Sequence, residues 1–87
     1  MELHLEQFLN LLRVQKLYSE HTIEAYNRDL RQFFAFLRTS SGSDSVDVSL
    51  FTRQAIRDYL YAMTNAGLRR KSIVRKLAAL KSFGKYL

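Results

Sequence analysis

Between Gly67 and Leu87 the sequence holds seven basic side chains and no acidic one: Arg69, Arg70, Lys71, Arg75, Lys76, Lys81 and Lys85. Guanidinium and ammonium groups at that density do one kind of chemistry well, charge-assisted hydrogen bonding to the oxygens of an anion. Threaded between them are Ile73, Leu77, Leu80, Phe83 and Leu87 at helical spacing. At 100° per residue, Ile73, Leu77, Leu80, Gly84 and Leu87 fall within about 80° of one another. Arg70, Lys71, Arg75, Lys81 and Lys85 lie across the other side, with Lys71, Arg75 and Ser82 nearly opposite the predicted core. A helix divided in this way docks by one side and can lie in a DNA major groove by the other. Ala78 and Ala79 are expected to keep the middle of the exposed face slim. A run of charge is ordinarily a solvated face, but solvated faces mix signs. Seven cations without a carboxylate therefore point to an external polyanion.

Other chemistries find little support. His4 and His21 stand seventeen positions apart, without the spacing of helical metal ligands, so no metal site is expected. Carboxylates are few and absent from the C-terminal region, which argues against an acid/base pair. No serine sits in a Gly-x-Ser-x-Gly context, there is no Gly-rich phosphate loop, and cysteine is absent. Neither self-contained catalysis nor a cofactor is expected. A weaker cationic patch is predicted on the second helix, where Arg28, Arg31 and Arg38 share one flank. Thr22, in the first turn of that helix, could add its hydroxyl to amides that favour an anion; it could equally be a second capping residue. Tyr26 falls on the apolar stripe, with its hydroxyl at the rim.

The elements that would position these groups are helical almost throughout, and proline is absent. The first helix is predicted over about 2–16, with Leu5, Phe8, Leu9 and Leu12 as its apolar stripe. Ser19 reads as the N-cap of a second helix over about 20–38, with Glu20 at the positive end of its dipole. The inward residues there are Ile23, Tyr26, Leu30, Phe33, Phe34 and Leu37; Phe36 falls off the stripe, so it packs on another helix or is exposed. The small polar residues from Thr39 onward predict a flexible Ser/Gly loop over 39–49. Thr52 reads as the cap of a third helix over about 53–65, with Ile56, Tyr59, Leu60 and Met63 inward. Gly67 suits the left-handed position that closes it. The fourth helix is predicted over about 70–86. Nothing caps its start, and Arg69, Arg70 and Lys71 crowd the positive end of its dipole, a local cost that an anion would relieve.

At 87 residues the chain is expected to be one domain, spanning 1–87, with room for a single core but not for a large cleft. The net charge of +6 is unevenly placed. Residues 1–40 carry five basic and five acidic side chains; residues 41–87 carry nine and three, so the whole excess sits in the second half. Such asymmetry suits nucleic acid first and a membrane surface second. Met1-Glu2-Leu3-His4 lacks the basic start and long apolar run of a signal peptide, and no run approaches spanning length, so a soluble, cytoplasmic protein is expected.

Two stretches carry a family resemblance. Ser19, Thr22, Tyr26, Asp29, Leu30 and Phe33 resemble the S-x-x-T-x-x-x-Y-x-x-D-L-x-x-F signature of tyrosine recombinases, the phage-integrase and Xer-type family, in their N-terminal core-binding domain. The stretch from Gly67 to Leu87 is similar to the family's G-x-S-x-x-S-I-x-R-x-L-S-A-L-R-S-F-Y-x-Y-L helix. Here Arg69 stands where serine is frequent, Gly84 where an aromatic is common, and Lys81 where arginine is frequent. The resemblance covers nearly the whole chain in order. It implies an all-α, four-helix SAM-like bundle, bacterial or phage-encoded and nucleoid-associated, forming half of a clamp around the double-stranded DNA of a recombination site. The catalytic domain, with its Arg, His and nucleophilic Tyr, would be a separate domain. None of Tyr18, Tyr26, Tyr59, Tyr61 or Tyr86 is then the nucleophile. Helices two and four would face DNA: Lys71 and Arg75 as central groove contacts, Arg69, Arg70 and Ser72 on phosphates near the start of helix four, and Thr22, Arg28 and Arg31 from helix two. Other recombinase protomers are implied as synaptic partners, with the isolated domain monomeric. The competing expectations are a helical module for protein contacts and a peripheral membrane binder. The second would need an exposed apolar rim beside the cations.

Overall fold

Ser19 and Thr52 do what short hydroxyl side chains do at helix starts. The Ser19 side chain accepts the Thr22 amide at 3.2 Å, and Thr52 accepts that of Ala55 at 3.1 Å. The computed structural model describes residues 1–87 as four helices and no strand: α1 (Glu2–Val14), α2 (Glu20–Ser41), α3 (Arg53–Asn65) and α4 (Arg70–Tyr86). A single 3-10 turn, Val48–Leu50, lies between α2 and α3.

Two helix ends differ from the sequence expectation. Helix α1 stops two residues before Lys16, because Leu17 takes a left-handed backbone (φ 55°). That turn brings the Tyr18 amide back to the Leu12 carbonyl at 3.0 Å. Helix α2 runs on through Ser41 rather than ending at Arg38. Its polar last turn satisfies itself: the Thr39 hydroxyl donates to the Ala35 carbonyl and that of Ser40 to the Leu37 carbonyl. The stop comes at Gly42, whose φ of 71° closes the helix as Gly67 (φ 81°) closes α3. The expected loop over 39–49 is thus helical at its start and 3-10 at its end. Val46 packs against the core, and its carbonyl accepts the Met1 ammonium at 3.1 Å.

The core draws on all four helices: Leu5, Phe8 and Leu12 from α1; Ile23, Leu30, Phe33, Phe34 and Leu37 from α2; Tyr59 and Met63 from α3; Ala79, Leu80 and Phe83 from α4. Two rings organise it. Phe83 meets Phe8, Phe34 and Phe51 at centroid distances of 5.3, 5.8 and 5.6 Å. Phe33 meets Phe51 and Tyr59 at 5.5 and 5.1 Å. Phe36, which the stripe left unassigned, packs on Tyr59 of α3 at 5.1 Å. Leu9 is only half-buried.

Helix α4 is turned from its expected orientation. Its buried residues are Lys76, Ala79, Leu80 and Phe83, while Ile73 and Leu77 are half-buried and Leu87 is exposed. The inward face is rotated by roughly 70° from the stripe read off the wheel. Phe83, fully buried, sets the new centre. Ala79 therefore belongs to the core and not to a slim outer face. The outer face comprises Arg70, Lys71, Val74, Ala78, Lys81 and Lys85, all exposed.

Candidate nucleic-acid interface

The α4 rotation decides where each cation goes. Arg75 moves from the middle of the outer face to the flank beside α2, and Lys76 moves inside. Both reach Asp29, whose side chain is 1% exposed. Arg75 donates through Nε to Oδ2 and through Nη2 to Oδ1, each at 3.2 Å; Lys76 donates to Oδ1 at 2.9 Å. Gln32 Oε1 accepts a further hydrogen bond from Lys76 Nζ. A buried carboxylate is costly unless paired and hydrogen-bonded, and here it has two cations. No buried side-chain polar atom lacks a partner.

Above this pair lies an open groove of about 600 Å³ among α2, α3 and α4. Ala62, Met63, Ala66 and Leu68 supply its apolar floor, and Arg28, Ser72 and Arg75 stand at its edge. The groove therefore brings together three of the residues singled out from sequence. Tyr59 also lines it; burial, and then the Asp29 carboxylate, push its phenol above the usual range.

The other candidates are placed differently. Arg69, Arg70 and Lys71 stand exposed at the start of α4, with no ion pair. Arg69 occupies the N-cap position with an extended backbone and makes no capping bond, so the first-turn amides are open as the sequence implied. Arg31 turns away toward α1: Nη1 meets Glu2 at 2.8 Å and Nε donates to Asn27 at 2.8 Å. Thr22 joins the α2 cap, its oxygen accepting from the Ser19 hydroxyl at 3.0 Å. The cap itself is Ser19, and the Thr22 hydroxyl bonds to no backbone amide. Glu20 pairs with Arg13 at 2.7 Å, and that hydrogen bond draws the carboxyl below its ordinary range.

Four of the fourteen Lys and Arg side chains make ion pairs, Arg13, Arg31, Arg75 and Lys76, which leaves ten without one. Five of the ten are on or at the start of α4. Two more face α4 from α3: Arg53 and Arg57 line a groove with Lys81, its floor made by Ile56, Leu60 and Leu77. A contiguous groove adds Lys85 beside Phe51, Thr52 and Gly84. Neither groove is lined by a carboxylate. Sequence reasoning passed over Arg53 and Arg57, and their signal was available: they are i, i+4 neighbours, as are Lys81 and Lys85. It also missed Lys76 as a buried residue, because a wheel assigns every lysine to the outside. Chemically the surface can neutralise several phosphates at once. A free cation in water gains little from a lone partner, but a row of them displaces condensed counterions from a polyelectrolyte.

Comparison with known proteins bears on the family of the chain. Residues 5–87 match the family model described as phage integrase, N-terminal SAM-like domain. The tyrosine recombinase XerC of Staphylococcus saprophyticus is 36% identical over 86 residues, which is 99% of this chain and 28% of the relative. XerC of Methylobacterium nodulans is 39% identical over 82 residues, 92% of this chain and 25% of the relative. XerC of Staphylococcus carnosus is 36% identical over 78 residues, 90% and 25% respectively. The chain thus spans about a quarter of the length of these curated relatives. No solved structure matches it. No helix is long and apolar enough to cross a membrane.

Proposed function

The chain belongs to the phage integrase N-terminal SAM-like domain family, and on that premise we propose that it holds the duplex DNA of a recombination site for a site-specific tyrosine recombinase. The strand-transfer chemistry belongs to a separate catalytic domain of that enzyme, and this domain supplies grip. Helix α4 lays its exposed face toward the duplex: Lys71 reaches into the groove, and Arg69, Arg70 and the open first-turn amides take phosphates beside it. Arg28, Ser72 and Arg75 extend the contact across to α2. Arg31 and Thr22 stand at its margin, each already engaged within the protein. Lys81, Lys85, Arg53 and Arg57 continue the cationic surface along α4 and α3.

The observation that carries this reading is the unpaired cation row on α4, a helix with no carboxylate of its own, at an uncapped helix start. The test is an amide-shift titration of the 87-residue chain with a short duplex. Shifts concentrated in residues 69–75 and 28–32 are expected. Shifts confined to α1, or none at low salt, would sink the reading.

A second reading, contact with another recombinase protomer, is favoured by the turn between α1 and α2. Leu17 is 80% exposed and Val14 61%, and Leu17 is held there in a left-handed backbone. Leu17→Asn keeps that backbone accessible while removing the apolar group. It should leave single-site binding intact and weaken cooperative binding to paired sites. Unchanged cooperativity would discard it.

A further inference from the structure

Arg75 is a weak candidate for a DNA contact if its ion pair is taken as a reason to count it out, but the geometry of that pair argues the reverse. A guanidinium has five N–H donors in a rigid plane. Asp29 takes two of them, one from Nε and one from Nη2. The Nη1 edge and the second Nη2 proton face away, on a side chain that remains 49% exposed. Asp29 itself cannot move to follow a ligand: it is 1% exposed and also fixed by Lys76, which Gln32 holds in turn. An arginine on an open helix loses much rotamer freedom when it binds a phosphate. Here that loss has already occurred in folding. Lys76 offsets the Asp29 charge, so the trio retains a net positive charge toward the groove edge where Arg28 and Ser72 stand.

We propose that Asp29 is a positioning residue for DNA binding, clamping Arg75 side-on so that its outer edge is presented to a phosphate or a base. This rests on the duplex-binding reading. The role predicts a sign that simple electrostatics does not. Removing a carboxylate from a DNA-binding face should tighten binding by charge alone. If Asp29 acts through Arg75, removing it loosens binding instead.

The experiment is a double-mutant cycle on duplex affinity in the 87-residue chain, using Asp29→Asn, Arg75→Ala and the pair, with far-UV circular dichroism on each. Asp29→Asn should weaken binding roughly five- to tenfold in the wild-type background and should not weaken it in Arg75→Ala. Equal weakening in both backgrounds would mean a merely structural role, and tightening in both would mean a merely electrostatic one; either overturns the proposal. Arg75→Lys gives an independent reading should Asp29→Asn fail to fold. An ammonium captured by Asp29 keeps free protons but no rigid planar edge held at a fixed angle, so Arg75→Lys should lose nearly as much affinity as Arg75→Ala. Full retention by the lysine variant contradicts the clamp. Failure of the wild-type chain to bind any duplex at low salt brings down the binding reading and the clamp together, whereas salt-sensitive binding without the sign reversal brings down the clamp alone.

Discussion

The Lys76 ammonium lies 2.9 Å from the Asp29 carboxylate, and the two side chains are 8% and 1% exposed. This buried pair ties α2 to α4 at the level of the groove and, with Phe83, holds α4 at the rotation from which the cationic face follows.

Removing one partner should therefore be costly, because it leaves a buried charge behind. Lys76→Met is expected to destabilise the chain by about 3 kcal/mol in urea denaturation, with Arg75 compensating only in part. The double change Asp29→Leu with Lys76→Met should return to within about 1 kcal/mol of wild type, since it removes the charge along with its counter-ion. A Lys76→Met variant as stable as wild type would show that Arg75 alone suffices.

The start of α4 trades stability against charge. Arg69 has the extended backbone of an N-cap and no capping bond. Arg69→Ser supplies a hydroxyl for the open first-turn amides and relieves the dipole of one cation. It should raise stability by about 1 kcal/mol and lower duplex affinity. Gains in both properties would refute the idea that Arg69 stands there for an anion.

Tyr59 gives a pH signature. Burial and the Asp29 charge raise its folded-state pKa above the ordinary value of 10.0. A group raised in the folded state contributes stability that is complete below its unfolded pKa and is lost as pH climbs through the folded value. Wild-type stability should thus decline above about pH 10, and Tyr59→Phe should decline less steeply there while matching wild type near neutrality. Parallel alkaline declines would remove Tyr59 as the cause.

Gly84 stands where the family motif commonly has an aromatic, and the fold shows what occupies the space instead. A Cβ there would meet Phe51 Cε1 at 3.1 Å, tighter than ordinary contact. Gly84→Ala gains about 1 kcal/mol of helix propensity, but Phe51 is held edge-on between Phe33 and Phe83. We expect the two effects to cancel to within about 0.5 kcal/mol. A full propensity gain would mean that the ring yields freely.

Helix number, caps and the Gly67 stop were readable because each depends on local chemistry: a hydroxyl before a helix, a glycine after one. The resemblance carried by Thr22, Tyr26, Asp29 and Leu30 led to the family. The rotation of α4 was not readable. It depends on Phe83 centring the buried face and on Lys76 finding Asp29 forty-seven residues away, neither of which a helical wheel represents. The same blindness placed Ala79 outside and Arg75 at the centre of the outer face. Nothing local forecasts the pairing of Arg31 with Glu2 of α1. The polar tail of α2 has the composition of a loop, and Gly42 rather than that composition ends the helix.

If the unpaired cations of α4 neutralise phosphates, duplex affinity must depend on salt. Log affinity should fall linearly with log salt, and Lys71→Ala and Lys81→Ala should each reduce the slope by about one with the circular dichroism spectrum unchanged. A flat salt response, or slopes indifferent to both substitutions, would contradict it.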